Sequence, residues 1–374
     1  MAIISGGKGL RKQKDNTPLI VNGDMAVAQR GASSTSDGIA TCDRWNVRKT
    51  NLDNLALTQA QSTTVPGHGF KHSFKYDTTT IETALAADEA LAIETRLEAN
   101  SMQALKYGTA QAEATTLTFW AKSSLTGVHG IYIRTHDGAQ EFVQSYTIAT
   151  ADTWQKVAIN IPANTAKVIN NDNGIGWWIQ WILAAGTSVD GATLGSWHDN
   201  ATEIAPTSQV NLMANTSYEF CLTGVQLEIG TFTADTTPPF PFESFGDSLH
   251  RCYRYYYLHA SGNSKSMGRG GYYSGSQAEF SFELPVRMRA TPTLEVASAS
   301  NYYVMYRNGG SDPVDDFALN SETTAASISA LNNSGTDDQA ISLNTSTNVV
   351  TLEDGGNFDL TPYLDNTDDQ AISY

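Results

Sequence analysis

The sequence predicts an all-β chain: a large β-sandwich or jelly roll, then a small β-sandwich, then a C-terminal β-repeat extension. Three observations carry this. Charged residues make up only 17% of the 374, and Thr, Ser, Asn and Gly fill the gap, a composition that favours strands and turns over helices. Short alternating runs of strand formers recur through the first two-thirds, each bounded by turn residues. A stretch near the C-terminus, Thr336 to Ser342, recurs as Thr367 to Ser373, which marks a repeat.

The composition also sets exclusions. A hydrophobic fraction of 40% and an aromatic fraction of 10% supply real cores, so wholesale disorder is excluded. At roughly 100–200 residues per domain, the length fits two or three domains. The net charge of −16 repels phosphate backbones and argues against nucleic acid as a partner. Twelve carboxylates between Ser311 and Tyr374, with no Lys or Arg after Arg307, supply most of that charge. Cys42, Cys221 and Cys252 are too few for a disulfide scaffold. No run of 18 apolar residues occurs, so no membrane insertion is expected. The N-terminus lacks a signal-peptide apolar stretch, and the protein is expected to be made in a cytosol.

Taken in order, residues 1–16 read as a basic flexible arm, with Lys8, Arg11, Lys12 and Lys14 among glycines. It is either a disordered terminus or an anchor that orders on a partner. Residues 17–235 read as one large β domain. Its predicted strands include Leu117–Ala121, Gly130–Arg134, Val157–Ile161, Trp177–Ile182 and Tyr218–Val225. Strands at this spacing over some 200 residues suggest a sandwich or jelly roll. Thr83 to Lys106 is helical by propensity, yet Ile93, Thr95 and Leu97 alternate with Glu94, Arg96 and Glu98. The expectation is a short helical turn over Ala84–Glu89 and then a strand.

Residues 236–257 form a proline-rich and aromatic connector, because Thr-Thr-Pro-Pro-Phe-Pro-Phe ending at Phe242 cannot continue a central strand. Residues 258–330 read as a small β module. Residues 331–374 read as an acidic repeat with too little apolar surface to fold alone, which should need neighbouring repeats or other chains. The chain stops just after its second copy begins, which leaves both a complete chain and a fragment open.

Several stretches together resemble a family of phage virion proteins of the tail-fibre or receptor-binding type. In the large domain these are Leu19-Ile-Val-Asn-Gly-Asp-Met-Ala-Val-Ala-Gln-Arg30, Asp43-Arg-Trp45, Glu94-Thr-Arg-Leu-Glu98, Leu105-Lys-Tyr-Gly-Thr109, Leu117-Thr-Phe-Trp-Ala-Lys-Ser-Ser124, Thr153-Trp-Gln-Lys156, Asp172-Asn-Gly174, Leu183-Ala-Ala-Gly186 and Thr223-Gly-Val-Gln-Leu-Glu-Ile-Gly230. Pro241-Phe-Glu243, Cys252-Tyr-Arg-Tyr-Tyr256 and Leu284-Pro-Val-Arg-Met-Arg-Ala-Thr-Pro-Thr293 follow in the same order. The resemblance covers residues 17–310 well and 331–374 loosely. It implies a jelly roll like that of carbohydrate-binding modules and a place in the virion tail. It further implies a homotrimer, an N-terminal arm docked on another tail or baseplate protein, and attachment to a host-surface glycan. Two other readings stand beside it: a secreted or cell-surface carbohydrate-binding module protein, and a polysaccharide depolymerase.

The candidate site residues follow. As a strand, Trp177, Ile179 and Trp181 share one face, and Trp178, Gln180 and Ile182 the other. One face should pack in the core. The other either packs too or offers Trp178 and Gln180 to a sugar, with Trp197 and His198 from a nearby loop. Asp24, Glu94, Glu98 and Glu228 are candidates for a structural calcium or ordinary hydrogen-bonded carboxylates. Cys252–Tyr257 is either a packed connector or an aromatic sugar site, with Arg251 and Arg254 stacking on its rings or pairing with acids of another copy. No zinc pattern, nucleophile elbow or phosphate loop occurs. No pair of acids stands out for glycoside hydrolysis, so no catalytic residue is assigned, no enzyme is expected, and no cofactor beyond that calcium.

Overall fold

The computed structural model describes residues 17–52, 56–199, 202–261, 266–274 and 277–296, then the segments 303–307, 310–314, 318–319, 324, 327–332, 340–343 and 349–353. Lys8, Arg11, Lys12 and Lys14 of the arm, and the second repeat copy, lie outside the described residues.

The large domain is built from β1 (Ser33–Ser34), β2 (Asn46–Thr50), β3 (Leu57–Ser62), β4 (Ser73–Thr78), β5 (Ala90–Glu98) and β6 (Thr115–Ser123). It continues with β7 (Gly127–Thr135), β8 (Gln140–Ile148), β9 (Gln155–Ile161), β10 (Ile175–Ala185), β11 (Trp197–Asp199) and β12 (Glu219–Ile229). Two six-stranded sheets result, ordered β1-β3-β4-β12-β6-β9 and β11-β8-β7-β10-β5-β2. Central neighbours such as β10 with β5 and β12 with β4 are antiparallel and far apart in sequence, the crossing connections of a jelly roll. The sheets face each other across one core that includes Trp45, Trp177, Trp181, Phe74, Phe119, Phe142 and Phe220. The five predicted strands all form. Alternation along β10 sends Trp177, Ile179 and Trp181 into this core, as expected.

One element differs. Ala84–Glu89 forms turns, not a helix. Two of its carbonyls are taken from outside the segment: the amide of Ser188 donates to Ala87 and that of Gly186 to Glu89, both at 2.8 Å. Helix propensity is a weak preference, and this pairing overrides it. Helical backbone follows β5 instead, as a 3₁₀ turn over Ala99–Leu105 that buries Ala99, Met102 and Leu105.

After the extended proline-rich run comes a helix, α1 (Phe245–Cys252), which the sequence reading did not anticipate. Its N-cap Ser244 accepts from the Asp247 amide at 3.2 Å, and Asp247 lies in the positively polarised first turn.

The second module contains β13 (Tyr256–Ser261), β14 (Ser266–Ser274), β15 (Gln277–Glu283), β16 (Thr293–Val296), β17 (Tyr303–Arg307), β18 (Gly310–Val314), β19 (Ala318–Leu319), β20 (Ser327–Asn332), β21 (Ala340–Leu343) and β22 (Val349–Glu353). Its sheets run β13-β22-β16 and β18-β17-β21-β14-β15-β20-β19. Strands beyond the expected boundary at residue 330 pair into these sheets. β22 lies between β13 and β16, and β21 between β17 and β14, so these two strands pair within this module. Pairing covers strand edges that would otherwise carry unpaired amides, and β21 includes Ala340–Ser342 of the first repeat copy.

Candidate functional site

The outward face of the second sheet carries most of the candidate residues, and strand register sets their places. Across β11, β8, β7, β10 and β5, one row reads His198, Glu141, Arg134, Trp178, Arg96. The next row reads Val143, Tyr132, Gln180, Glu94 and, on β2, Asn46. His198 sits at the sheet edge, where its ring bonds Ser196 Oγ at 2.9 Å. Trp197 points the other way. Its ring packs on Phe142, Trp177 and Tyr107, and its Nε1 donates to the Pro162 carbonyl at 2.8 Å. The structure thus groups Trp178 and Gln180, puts His198 in the same row, and turns Trp197 inward.

Glu94 is the hub of this face. Its carboxylate accepts from Trp178 Nε1 at 2.6 Å, Gln180 Nε2 at 2.8 Å, Asn46 Nδ2 at 2.7 Å and Arg96 Nη2 at 3.1 Å. The guanidinium groups of Arg48 and Arg96 lie 4.5 and 5.0 Å from the Trp178 ring centroid. Trp178 is only 6% exposed and Glu94 1%. The buried Glu94 charge is tolerated because four donors converge on it.

Two segments distant in sequence cover this face. At one end Ala192, Ile204 and Ala205 pack on Ala92, Tyr132, Val143 and Ile182. Gly130 admits that cover, since a Cβ there would stand 2.6 Å from Pro206. At the other end the connector lays Tyr255 against Trp178, Ile175 and Val21. Arg44 sits 3.6 Å over the Tyr255 ring, and Arg30 sits 3.5 Å over Tyr256. Arg254 makes a bidentate pair with Glu98, both bonds at 2.6 Å, and the Tyr255 hydroxyl donates to Glu98 Oε1 at 2.5 Å. Burial pushes the Glu98 carboxyl up, but these donors outweigh it and hold it below the usual carboxylate range. Cys252–Tyr257 is thus a packed joint here, and its arginine pairs within the chain.

Beside this joint is a cavity of about 480 Å³. Arg96 and Glu98 of β5, Arg251 of α1, Arg254, and Arg287 from the loop after β15 line it, with Pro18, Leu19 and Val21 as its apolar wall. Arg251 pairs with Glu243 at 2.8 Å and donates to the Pro18 carbonyl at 2.5 Å. Arg287 is exposed and has no ion pair among the described residues. Arg251 and Arg254 are thus engaged within the protein, and the exposed Arg287 guanidinium is the one placed to receive a planar carboxylate or a phosphate. The sequence reading singled out Arg251 and Arg254 but not Arg287, which lies in the resemblance stretch after Leu284 with no local signal.

The calcium candidates stand apart. Asp24 lies before β1, and burial lifts its carboxyl above the usual range. Glu94 is on β5, while Glu228 is on β12 of the opposite sheet and accepts from Gln226 at 2.8 Å. Among the described residues no three His, Cys, Asp or Glu side chains converge as a metal site. The three cysteines are buried thiols. No helix among the described residues is long and apolar enough to cross a membrane.

No protein-family model and no curated relative matches this chain. Solved structures similar to it include carbohydrate-binding modules and a phage tailspike domain. The enzymatically active domain of tailspike protein 4 from bacteriophage CBA120 is 12% identical with a TM-score of 0.30, over 57% of this chain and 21% of that one. This chain thus spans about a fifth of the tailspike chain. The family 11 carbohydrate-binding module of a cellulosomal cellulase from Clostridium thermocellum is 11% identical with a TM-score of 0.28, over 53% of this chain and 95% of that one. The N-terminal cellulose-binding domain of Cellulomonas fimi β-1,4-glucanase C is 11% identical with a TM-score of 0.24, over 55% and 99%.

Proposed function

We propose that this chain is a homotrimeric subunit of a phage tail fibre or spike, and that its jelly roll holds a host-surface glycan bearing an acidic group. The arginine-lined cavity at the module joint carries the glycan part of this reading. Its volume of about 480 Å³ lies within the roughly 300–1,000 Å³ of small-ligand sites. Its apolar wall suits the C–H face of a sugar, and Arg287 suits a carboxylate, sulfate or phosphate substituent. The virion part rests on the ordered sequence resemblance over residues 17–310. The role is binding, without hydrolysis of the glycan.

The test is a glycan array probed with the full chain and with Arg287→Glu, alongside light scattering. Binding confined to acidic glycans, at least tenfold weaker in the variant, with a trimer mass, is expected. Neutral and acidic glycans bound alike, or Arg287→Glu bound as wild type, overturns the assignment of this cavity. A monomer at micromolar concentration overturns the trimer and favours a solitary carbohydrate-binding module. Release of reducing sugar from host polysaccharide overturns the non-enzymatic role.

A further inference from the structure

The outward face of the first sheet bears a second cleft, of about 320 Å³, that the reading above does not use. β6, β9 and β12 form its floor, with Trp120 paired in register to Lys156 and to Thr223. His68 stacks on the Trp120 ring at 4.7 Å and 24°. Phe70 meets Phe240 at 5.1 Å and Phe242 at 5.0 Å, closing an aromatic corner from the proline-rich connector. Phe242 remains 47% exposed.

The corner is built around two backbone positions. Gly224 has φ +62, and a Cβ there would stand 2.6 Å from Phe70 and 3.0 Å from Trp120. Gly69 has φ +96, and a Cβ there would press on Phe242 at 3.2 Å. Glycine meets both the left-handed backbone and the close approach of the rings. Gly224 also lies in the β12 bulge between Thr223 and Gln226, a device that re-aims side chains.

Polar groups sit at the rim of this apolar corner. Lys156 has no ion pair among the described residues and is half-buried beside Trp120. The Gln226 amide nitrogen donates to Glu228 at 2.8 Å and to the Pro238 carbonyl at 3.3 Å, which leaves its oxygen as an acceptor. Aromatic faces with a few hydrogen-bonding groups at their edge match a pyranose, whose C–H face is apolar and whose rim is hydroxyl. The volume is at the small end of ligand pockets, so the site takes one ring and not a chain. Its concavity fits a ring better than a flat contact with another copy.

We propose that this cleft binds a single neutral sugar ring, packed against Phe242 and the edge of the His68–Trp120 stack, with Lys156 donating to its hydroxyls. The choice of ligand class rests on the glycan reading of the jelly roll; the site itself is separate from the joint cavity. The test is saturation-transfer NMR of the full chain with methyl hexopyranosides, using Phe242→Ala, Trp120→Ala and Lys156→Ala, and Arg287→Glu as the control. Saturation concentrated on ring C–H protons is expected, with binding at least fivefold weaker in Phe242→Ala and Lys156→Ala at an unchanged melting temperature. Arg287→Glu should bind as wild type. Phe242 and Lys156 lie at the surface, so these variants keep the test valid if Trp120→Ala fails to fold. Methyl hexopyranosides that fail to bind, or bind the Phe242 and Lys156 variants unchanged, overturn the cleft; acidic-glycan binding persisting at the joint would then leave the proposed function standing. A fall in oligomeric mass on Phe242→Ala without loss of sugar binding would assign the face to contact between copies and also overturn it.

Discussion

Glu94→Ala is the sharpest probe of the closed polar face. The carboxylate receives four hydrogen bonds between 2.6 and 3.1 Å, and the Arg96 and Glu94 side chains are 5% and 1% exposed. Truncation withdraws the carboxylate from a buried guanidinium, which costs about 3–5 kcal/mol. It also strands the donors of Asn46, Trp178 and Gln180, at about 1–3 kcal/mol each if nothing relaxes. These losses share one acceptor and do not add, so the expected total is about 5 kcal/mol. For a domain of about 150–250 residues, each kcal/mol lowers Tm by about 2–4 °C, which predicts a fall of about 10–20 °C. Glu94→Gln keeps one acceptor oxygen and loses the charge, and should cost about 2 kcal/mol. Calorimetry and urea unfolding followed by tryptophan fluorescence measure both. A loss below about 1 kcal/mol in Glu94→Ala would refute the reasoning. It would mean that these donors exchange freely with water and that Trp178 is open to a ligand.

Three more outcomes follow from the same physics. The depressed Glu98 carboxyl contributes stability that is present above the unfolded value of about 4.3 and lost as pH falls through the lower folded value; Arg254→Ala removes charge-assisted bonds from a partly exposed pair and should cost about 2 kcal/mol at pH 7 and flatten acid unfolding there, as thermal melts across pH 6 to 3 would record. Burial lowers His129 to about 4 against the opposing bond that its ring donates to the Leu125 carbonyl, so the unfolded chain, titrating near 6.5, takes its proton first. Stability should therefore fall by up to about 3 kcal/mol between pH 6.5 and 4, and His129→Phe should remove that slope. Trp197→Ala should cost about 3 kcal/mol through lost packing on Phe142, Trp177 and Tyr107, while glycan-array binding of the folded variant stays unchanged.

Alternation made the jelly-roll strands legible, because a period of two states which residues share a face. It assigned Ile93 and Leu97 to one side of β5 and Glu94, Arg96 and Glu98 to the other, and the core contains only the former pair. What alternation does not state is what lies over a face. Polar residues on a strand read as solvated, yet Glu94, Arg96 and Glu98 are all buried, because segments about a hundred residues and more away cover them. Trp197 has the sequence surroundings of a loop; a three-residue strand paired to Phe142 turns it inward, and so short a run has no period to read. The α1 start was visible in Ser244 and Asp247, but aromatic residues on either side masked it. The place of Ala340–Ser342 is hidden for a different reason: β21 finds its partners on β14 and β17, more than thirty residues upstream, and only long-range pairing reveals that.

The covered face explains where ligands can reach this module. A sheet lined by Trp178, Tyr132, Gln180 and arginines has the chemistry of a sugar cleft, but Trp178, Gln180, Arg48 and Arg96 are already engaged within the protein. Arg48 and Arg96 lie over the indole, Glu94 holds its N–H, and Tyr255 packs against it. A sugar entering there would have to replace charge-assisted bonds worth about 1.5–3 kcal/mol each with weaker neutral ones. The same contacts tie the connector down: Glu98 binds Arg254 and Tyr255, and Gln29 both donates to the Tyr256 carbonyl at 3.0 Å and accepts from the Leu258 amide at 3.3 Å. The face thus serves as a joint, and the joint sets the direction in which β13 leaves the jelly roll. Open chemistry is displaced to the rim of that joint, at Arg287, and to the aromatic corner on the opposite sheet. Arg287→Glu and Phe242→Ala can therefore change binding without loosening the fold, whereas changes at Glu94 or Glu98 must alter stability before they alter recognition.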